Sequence, residues 1–435
     1  MIAHYLGLAL RSLKRNPALT TLTILAIAVG IGTSMSIFTL LHVMSGDPIP
    51  WKSAQLFAPQ IDNGGPDNRR NGEPPNQLSY RDSMALMQAR KGMRQTAMYS
   101  ISFTISATQA GTSPFVAFGR AAFADFFGMF DVPFRFGAPW SAADDDARAN
   151  VIVIGSKLSE RLFRSDNPVG RTINLDHRDY RIVGVLEQWR PLPRFYDVGT
   201  PYPRNEEEIF LPFNSAIDRR RPSQGSNSCS KQPSRAGWEG YLESECVWTQ
   251  FMVELPTAAD VRGYREFLNG YAAEQQRAGR FDWPPLTRLR NLQEWLVFNK
   301  VVPDQVRVLT LLGFGVLLVC LVNAIGLMLA RFSSRSAEFG VRRALGASRR
   351  DVFLQCLAET SVIGAVGGLV GLGLTALGVA GERSLLPQQV VAVVRLEADM
   401  VFVTVALAIV ATVCSGLYPT WRASRVQPAW QLKAQ

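Results

Sequence analysis

Four stretches of the chain are almost free of charge. Residues 19–43 contain no Asp, Glu, Lys or Arg, and 306–330 are apolar apart from Arg307 at their start and Asn323 inside. Residues 362–380 and 400–418 complete the set. A hydrocarbon core of roughly 30 Å is crossed by about 20 helical residues, so each run predicts a transmembrane helix. The predicted spans are 18–45, 305–331, 351–381 and 399–420. The first is long enough to tilt or to project beyond the bilayer. A cleaved signal peptide is its competing reading, but signal cores run to roughly 7–15 residues and no convincing A-x-A site lies within reach.

Between the first two runs the pattern changes period. Residues 151–163 (NVIVIGSKLSERLF with Asn150) read as a strand leading into an amphipathic helix, and 171–189 alternate apolar and polar positions as paired strands do. Residues 248–255 (WTQFMVEL) predict another strand. Thr257, with Asp260 three residues on, predicts a capped helix start. Two polar, Gly/Pro-rich stretches, 64–76 and 218–237, read as flexible loops. The fold class expected is an α+β membrane protein, with four transmembrane helices and a large mixed α/β extracytoplasmic domain (46–304) between the first and second.

Charge fixes the orientation. The chain has 435 residues, a formal charge of +10 and a mean hydropathy just above zero, which fits apolar spans joined to one sizeable polar domain. Arg11, Lys14 and Arg15 precede span one; Arg331, Arg335, Arg342, Arg343, Arg349 and Arg350 lie between spans two and three; Arg422, Arg425 and Lys433 follow span four. The positive-inside bias puts these three sets in the cytoplasm and 46–304 and 382–398 outside. Residues 1–17 place Ile2, Leu6, Ala9, Leu10 and Leu13 on one helical face, predicting an interfacial amphipathic helix, or else an extension of span one. Residues 421–435 form the cytoplasmic tail. Cys320, Cys356 and Cys414 fall in or beside spans. Cys229 and Cys246 are the two cysteines of the outside domain, and an oxidising compartment favours a disulfide between them over two free thiols.

Candidate chemistry is sparse. There is no G-x-x-x-x-G-K-[ST] phosphate loop, so these 435 residues hold no such ATP site. The three histidines (His4, His42, His177) are scattered, which disfavours a His-based metal site. Gly155-Ser156 lacks the G-x-S-x-G setting of a nucleophile elbow. Gly364/Gly368 and Gly367/Gly371, spaced i, i+4 in an apolar run, read as a close helix-packing face, and Asn323 as an interhelical hydrogen-bonding residue. Nothing here predicts an enzyme, a metal site or a nucleic-acid partner.

The most distinctive stretch is EFGVRRALGASRRDVF, residues 338–353. Ser348 and Asp351 form a capping box that starts a new helix, and Gly346 before them suits a helix C-cap. Residues 334–345 therefore predict a short cytoplasmic helix within a 332–350 connector. On it Glu338 and Arg342 are one turn apart, and Phe339 and Leu345 offer apolar knobs. Such an element suits docking to another protein; the bland alternative is a charged loop that only sets topology.

Residues 335–359 closely resemble the connector of MacB/FtsX-type ABC transporter permeases, whose motif runs roughly Glu-Ile-Gly-Ile-Arg-x-Ala-Leu-Gly-Ala. It falls on Glu338, Gly340, Arg342, Ala344, Leu345, Gly346 and Ala347, with Phe339 and Val341 as departures; Glu359 and the Gly-rich start of span three also match. Residues 9–31 resemble the family's N-terminal helix and first span, 418–433 its tail, and 151–189 its MacB-like periplasmic core domain. The resemblance implies a split membrane-proximal subdomain (50–113 and 246–300) with an inserted one (114–245). It also implies coupling to cytoplasmic ABC ATPase subunits through Glu338, Phe339, Gly340, Arg342, Arg343, Leu345 and Gly346. ATP and Mg would be held by that ATPase, a separate polypeptide, and no cofactor by this chain. Further partners implied are a second permease (identical or paralogous), a periplasmic adaptor, an outer-membrane channel and membrane lipid. The expected role is export across a bacterial inner membrane. Alternatives are a lipoprotein-releasing permease, or a membrane-anchored mechanotransmitter or sensor without transport.

Overall fold

A computed structural model describes residues 16–105, 114–164, 166–198, 207–385 and 398–424. The expected amphipathic helix of residues 1–15, most of the 382–398 loop and the tail from 425 lie outside the described residues. The chain divides into two compact units: Gly46–Val301, and a helical unit made from the flanking segments.

The helical unit contains four helices long and apolar enough to cross a membrane. Span one is Pro17–Ser45, span two Asp304–Ser333, span three Arg349–Leu385 and span four Ala398–Ser424. Pro17 suits the first helical position because its missing N–H would be unpaired there anyway. Hydroxyls inside span one are satisfied locally: Thr23, Ser34, Ser36 and Thr39 each donate to the carbonyl four residues back, at 2.7–2.8 Å. That lets polar residues sit in an apolar helix without an orphaned group.

Between spans two and three lies the connector helix, Ser336–Ala344. It ends as the sequence predicts. Gly346 takes φ +102°, its N–H bonds to the Arg343 carbonyl (3.2 Å), and the Ala347 N–H bonds to the Arg342 carbonyl (3.0 Å). This pair of bonds is a Schellman cap, which requires the left-handed backbone that glycine adopts without strain. Span three then starts from a reciprocal cap: Ser348 Oγ donates to Asp351 (2.6 Å), while the Asp351 N–H donates back to Ser348 Oγ (3.2 Å).

Unit Gly46–Val301 is built on one mixed sheet. Its strands are β1 Leu56–Ile61, β2 Leu78–Ser79, β3 Arg94–Ile105, β4 Phe115–Ala122, β5 Phe134–Gly137, β6 Val151–Ile154, β7 Thr172–Leu175, β8 Arg178–Leu186, β9 Glu207–Pro212, β10 Val247–Glu254 and β11 Thr287–Asn291. The order is β11-β1-β10-β3-β4-β9-β6-β8-β5, with β2 on β10, and β7 pairing β3 and β8. Pairs β4–β9 and β6–β8 are parallel and the others antiparallel. The strand and helix expected over 151–163, the paired strands over 172–186 and the strand over 248–255 are all present. So is the helix Ala258–Arg277 with its Thr257/Asp260 capping box. Strands from 50–113 and 246–300 occupy one end of the sheet and those from 114–245 the other; the two sets meet along β3–β4, from Met98↔Ala122 to Ile105↔Phe115, and at the β3–β7 pair Ile105↔Leu175.

Both faces of the sheet are covered. Along β3, Tyr99, Ile101 and Phe103 enter one hydrophobic core while Met98 enters the other; along β9, Ile209 and Leu211 part from Phe210 in the same way. Alternation of side chains across a strand explains this division. The stretch 64–76, predicted flexible from its Gly and Pro content, is irregular but fastened. Arg69 pairs with Asp62 at 2.7 Å, and Glu73 takes Arg288 and Arg290 at 2.9 and 2.8 Å. Those basic partners lie more than 200 residues away, so local composition could not announce them.

Candidate functional site

The connector helix and the helix ends around it form the most organised polar cluster of the helical unit. Glu338 accepts from Arg342 at 2.7 Å, the one-turn pairing the sequence offers, and also from Arg335 at 3.2 Å. Arg335 reaches on to Glu359 in span three at 2.8 Å. Arg342 donates to Gln355 at 2.7 Å. Arg331, at the end of span two, lies 3.7 Å from Glu359 and donates to Thr20 of span one at 3.0 Å. Arg335, Arg331, Gln355 and Glu359 are functional candidates that motif reading left without partners. The available signal was Glu359 itself, the single charged residue between Asp351 and Glu382 in an otherwise apolar helix.

The expected site residues fall on two faces. Phe339 is 0% exposed and packs edge-on to Phe332 of span two, with the Arg335 guanidinium over its ring. It is therefore a core residue and not the docking knob expected of it, because the helix turns its 339–340 side toward the spans; Gly340 is buried with it. Leu345 remains a knob at 83% exposure, joined by Val341 at 54%. Arg342 and Arg343 are half-buried, and Gly346 is exposed.

The glycines of span three serve two neighbours. A Cβ at Gly364 would stand 1.8 Å from Thr412, and one at Gly368 2.8 Å from Ala408, both in span four. At Gly367 it would meet Ile27 at 3.0 Å, and at Gly371 Ile31 at 3.1 Å, both in span one. One apparent small-residue face is thus two, each admitting a different helix backbone. Asn323 does not act as expected. It lies on the exposed side of span two, beside exposed Val319 and Val322, and makes no interhelical hydrogen bond among the described residues.

In Gly46–Val301, Cys229 and Cys246 are joined by a disulfide, next to the bridge Ser228↔Val247. Two buried ionic nodes hold distant segments. Arg120 meets Asp197 and Glu207, and Glu207 also accepts from Tyr196 (3.1 Å) and Arg194 (3.3 Å). Burial opposes charge on Glu207, but Arg120 and then Arg194 overcome it and hold the carboxyl below its ordinary range. Arg280 spans Asp82 (2.6 Å) and Glu245 (2.7 Å), and Tyr271 donates to Asp82 at 2.9 Å. Each arginine faces two carboxylates, although Arg120 Nη1 is buried without a hydrogen-bond partner, and nodes of this kind balance their charges and serve as structure.

A family model described as the MacB-like periplasmic core domain matches residues 20–266, and one described as the FtsX-like permease C-terminal matches 310–428. The chain is 26% identical to a macrolide export ATP-binding/permease protein MacB of Rhodospirillum rubrum, covering 100% of this chain and 62% of that one. It is 25% identical to a pyoverdine export ATP-binding/permease protein PvdT of Pseudomonas syringae pv. tomato, covering 96% and 57%. The chain thus spans about half the length of the curated relatives it matches. Among solved structures, the periplasmic region of MacB from Actinobacillus actinomycetemcomitans aligns at 14% identity and a TM-score of 0.36, covering 57% of this chain and 92% of that one.

Proposed function

Because the chain belongs to the MacB-type permease family, the permease component of ABC transporters, we propose that it is the permease subunit of an ATP-driven exporter of a bacterial inner membrane. It works as a pair, with a second copy or a paralogue. Its connector helix docks on a cytoplasmic ABC ATPase supplied outside these 435 residues, which holds the ATP and Mg. Hydrolysis there moves the Gly46–Val301 unit on the outer side of the membrane. Names among the relatives give different cargoes, macrolide and pyoverdine, and share export.

The observation that carries this reading is the two-sided connector helix. One side is anchored by Phe339 and the Glu338–Arg335–Glu359 chain, while Val341 and Leu345 stand out from the other. Val341 and Leu345, one turn apart on a rigid, charged element, offer a partner a small apolar contact surface. Leu345→Asp or Val341→Asp in the tagged full chain should lower co-purification of the cognate ATPase by about tenfold or more, the scale of an interface hot spot. The Cys229–Cys246 bridge and the amount of protein in the membrane should not change. Undiminished ATPase recovery from both variants would reject the docking role.

A further inference from the structure

Five side chains close a hydrogen-bonded ring around the turn at Gly346. Arg335 Nη1 donates to both Glu359 oxygens (2.8 and 3.1 Å) and its Nε to Glu338 (3.2 Å). Glu338 accepts from Arg342 Nη2 (2.7 Å), Arg342 Nη1 donates to Gln355 (2.7 Å), and Gln355 Nε2 returns to Glu359 (3.5 Å). Glu338 and Arg342 belong to the connector helix, Gln355 and Glu359 to span three, and Gly346 lies between the two pairs. At Gly346 nothing lies within 4 Å of where a Cβ would be, so no side chain fills that side of the turn beyond its backbone caps. The ring adds a side-chain brace from the connector helix to span three. Its hub, Glu359, is 0% exposed, and a carboxylate so removed from water persists only where cations and donors surround it. An ionisable residue in such a helix is a mark of function.

We propose that Glu359 is a positioning residue. Through Arg335 it locks the connector helix to span three, so that displacement received at Val341 and Leu345 is delivered to span three instead of being lost by bending at Gly346. This rests on the connector helix being the ATPase-coupling element. A carboxylate that merely satisfied its own burial would stabilise the helices without making the ring behave as one unit.

The test has two arms. In the first, amide exchange of the full chain in nanodiscs is read over residues 336–346 for Glu359→Gln, Arg335→Gln and the double variant. Losing a charged hydrogen bond should speed exchange there by about tenfold in each single variant, and the double should add little more. Exchange in β10 should not change. In the second arm, Glu359→Gln should retain the ATPase at the wild-type level yet lose most of the ATP-dependent response of the outer unit, with Glu359→Asp recovering part of it. Unchanged exchange in Glu359→Gln, additive single effects, or a full ATP-dependent response would each overturn the proposal. If Glu359→Gln does not reach the membrane, Arg335→Gln carries both arms. If the wild type binds no ATPase, the functional reading fails, while the exchange arm still decides whether the ring locks the helix.

Discussion

Gly364 in span three and Trp248 in β10 both occupy tight sites, and they fill them in contrary ways. At Gly364 there is no room for even a methyl group, because Thr412 of span four stands 1.8 Å from where it would go. At Trp248, 0% exposed, a large ring is surrounded by others: Tyr99 edge-on at 4.9 Å, Tyr241 stacked at 5.4 Å and Tyr80 at 6.4 Å. Lipid is as apolar as a leucine side chain, so spans gain by bringing backbones close and not by burying bulk. Water surrounds the outer unit, so there each large ring removed from it contributes. The same substitution logic therefore has opposite signs in the two units.

The most severe break should come from Trp248→Ala, at about 3–5 kcal/mol, since the site is enclosed by rings that cannot collapse inward. Calorimetry of the full chain in detergent should show the outer-unit transition moving down while the helical unit is unaffected. Gly364→Leu should follow at about 1–3 kcal/mol, now by overpacking, and Thr412→Gly should recover part of the loss. Gly373→Ala, where nothing lies within 4 Å, is the control and should stay within about 0.5 kcal/mol. Equal effects at Gly364 and Gly373 would show that close backbone approach does not hold the spans.

A change of pH, without any substitution, sharpens the contrast further. Asp145 accepts from Trp140 Nε1 (2.8 Å) and from the Ala124 N–H (2.7 Å), yet burial outweighs both bonds and pushes its carboxyl up to about 7. Its folded-state affinity for a proton exceeds its unfolded one. The stability it contributes is therefore full at pH below the ordinary aspartate range and is lost as the pH rises through about 7. Melting of the outer unit should fall by about 1–2 kcal/mol between pH 5.5 and 8 at the wild-type aspartate. A flat profile over that window would place Asp145 in a wetter setting than its hydrogen bonds describe.

The spans and the connector were legible because their signals are local. Run length marks a span, and Gly346, Ser348 and Asp351 sit within six residues of one another. Phe339 was misjudged because a nine-residue helix with apolar residues on two sides does not say which side meets its neighbours. Asn323 was misjudged for the same reason: polarity inside a span says that a partner is useful, not that one of this chain's helices faces it. The ring of Glu359 joins residues up to 24 positions apart across a reversal of direction, and the Arg280 node joins Asp82 to a residue 198 positions later. Pairings of that reach are fixed by the fold and leave no periodic trace. The order of the sheet was likewise hidden, since β4–β9 pairing depends on contacts across more than eighty residues.

One register pair in that sheet sets where load enters the outer unit. Phe57, near the start of β1, lies opposite Asn291, the last residue of β11, and the two strands run antiparallel. The incoming and outgoing tethers therefore leave the sheet at the same end, from neighbouring strands about 4.8 Å apart. If the tethers travel together, the whole unit is carried as a rigid body and no strand is stretched. If they are drawn apart, force falls first on the helix Leu292–Phe298, whose Leu292 and Trp295 are buried and whose Gln293 donates to Asp47 at 3.2 Å, and only then on the pair Phe57–Asn291. Two connections that enter side by side and are clasped by one helix make Leu292 and Trp295, and not the strand pairing itself, the first resistance to their separation.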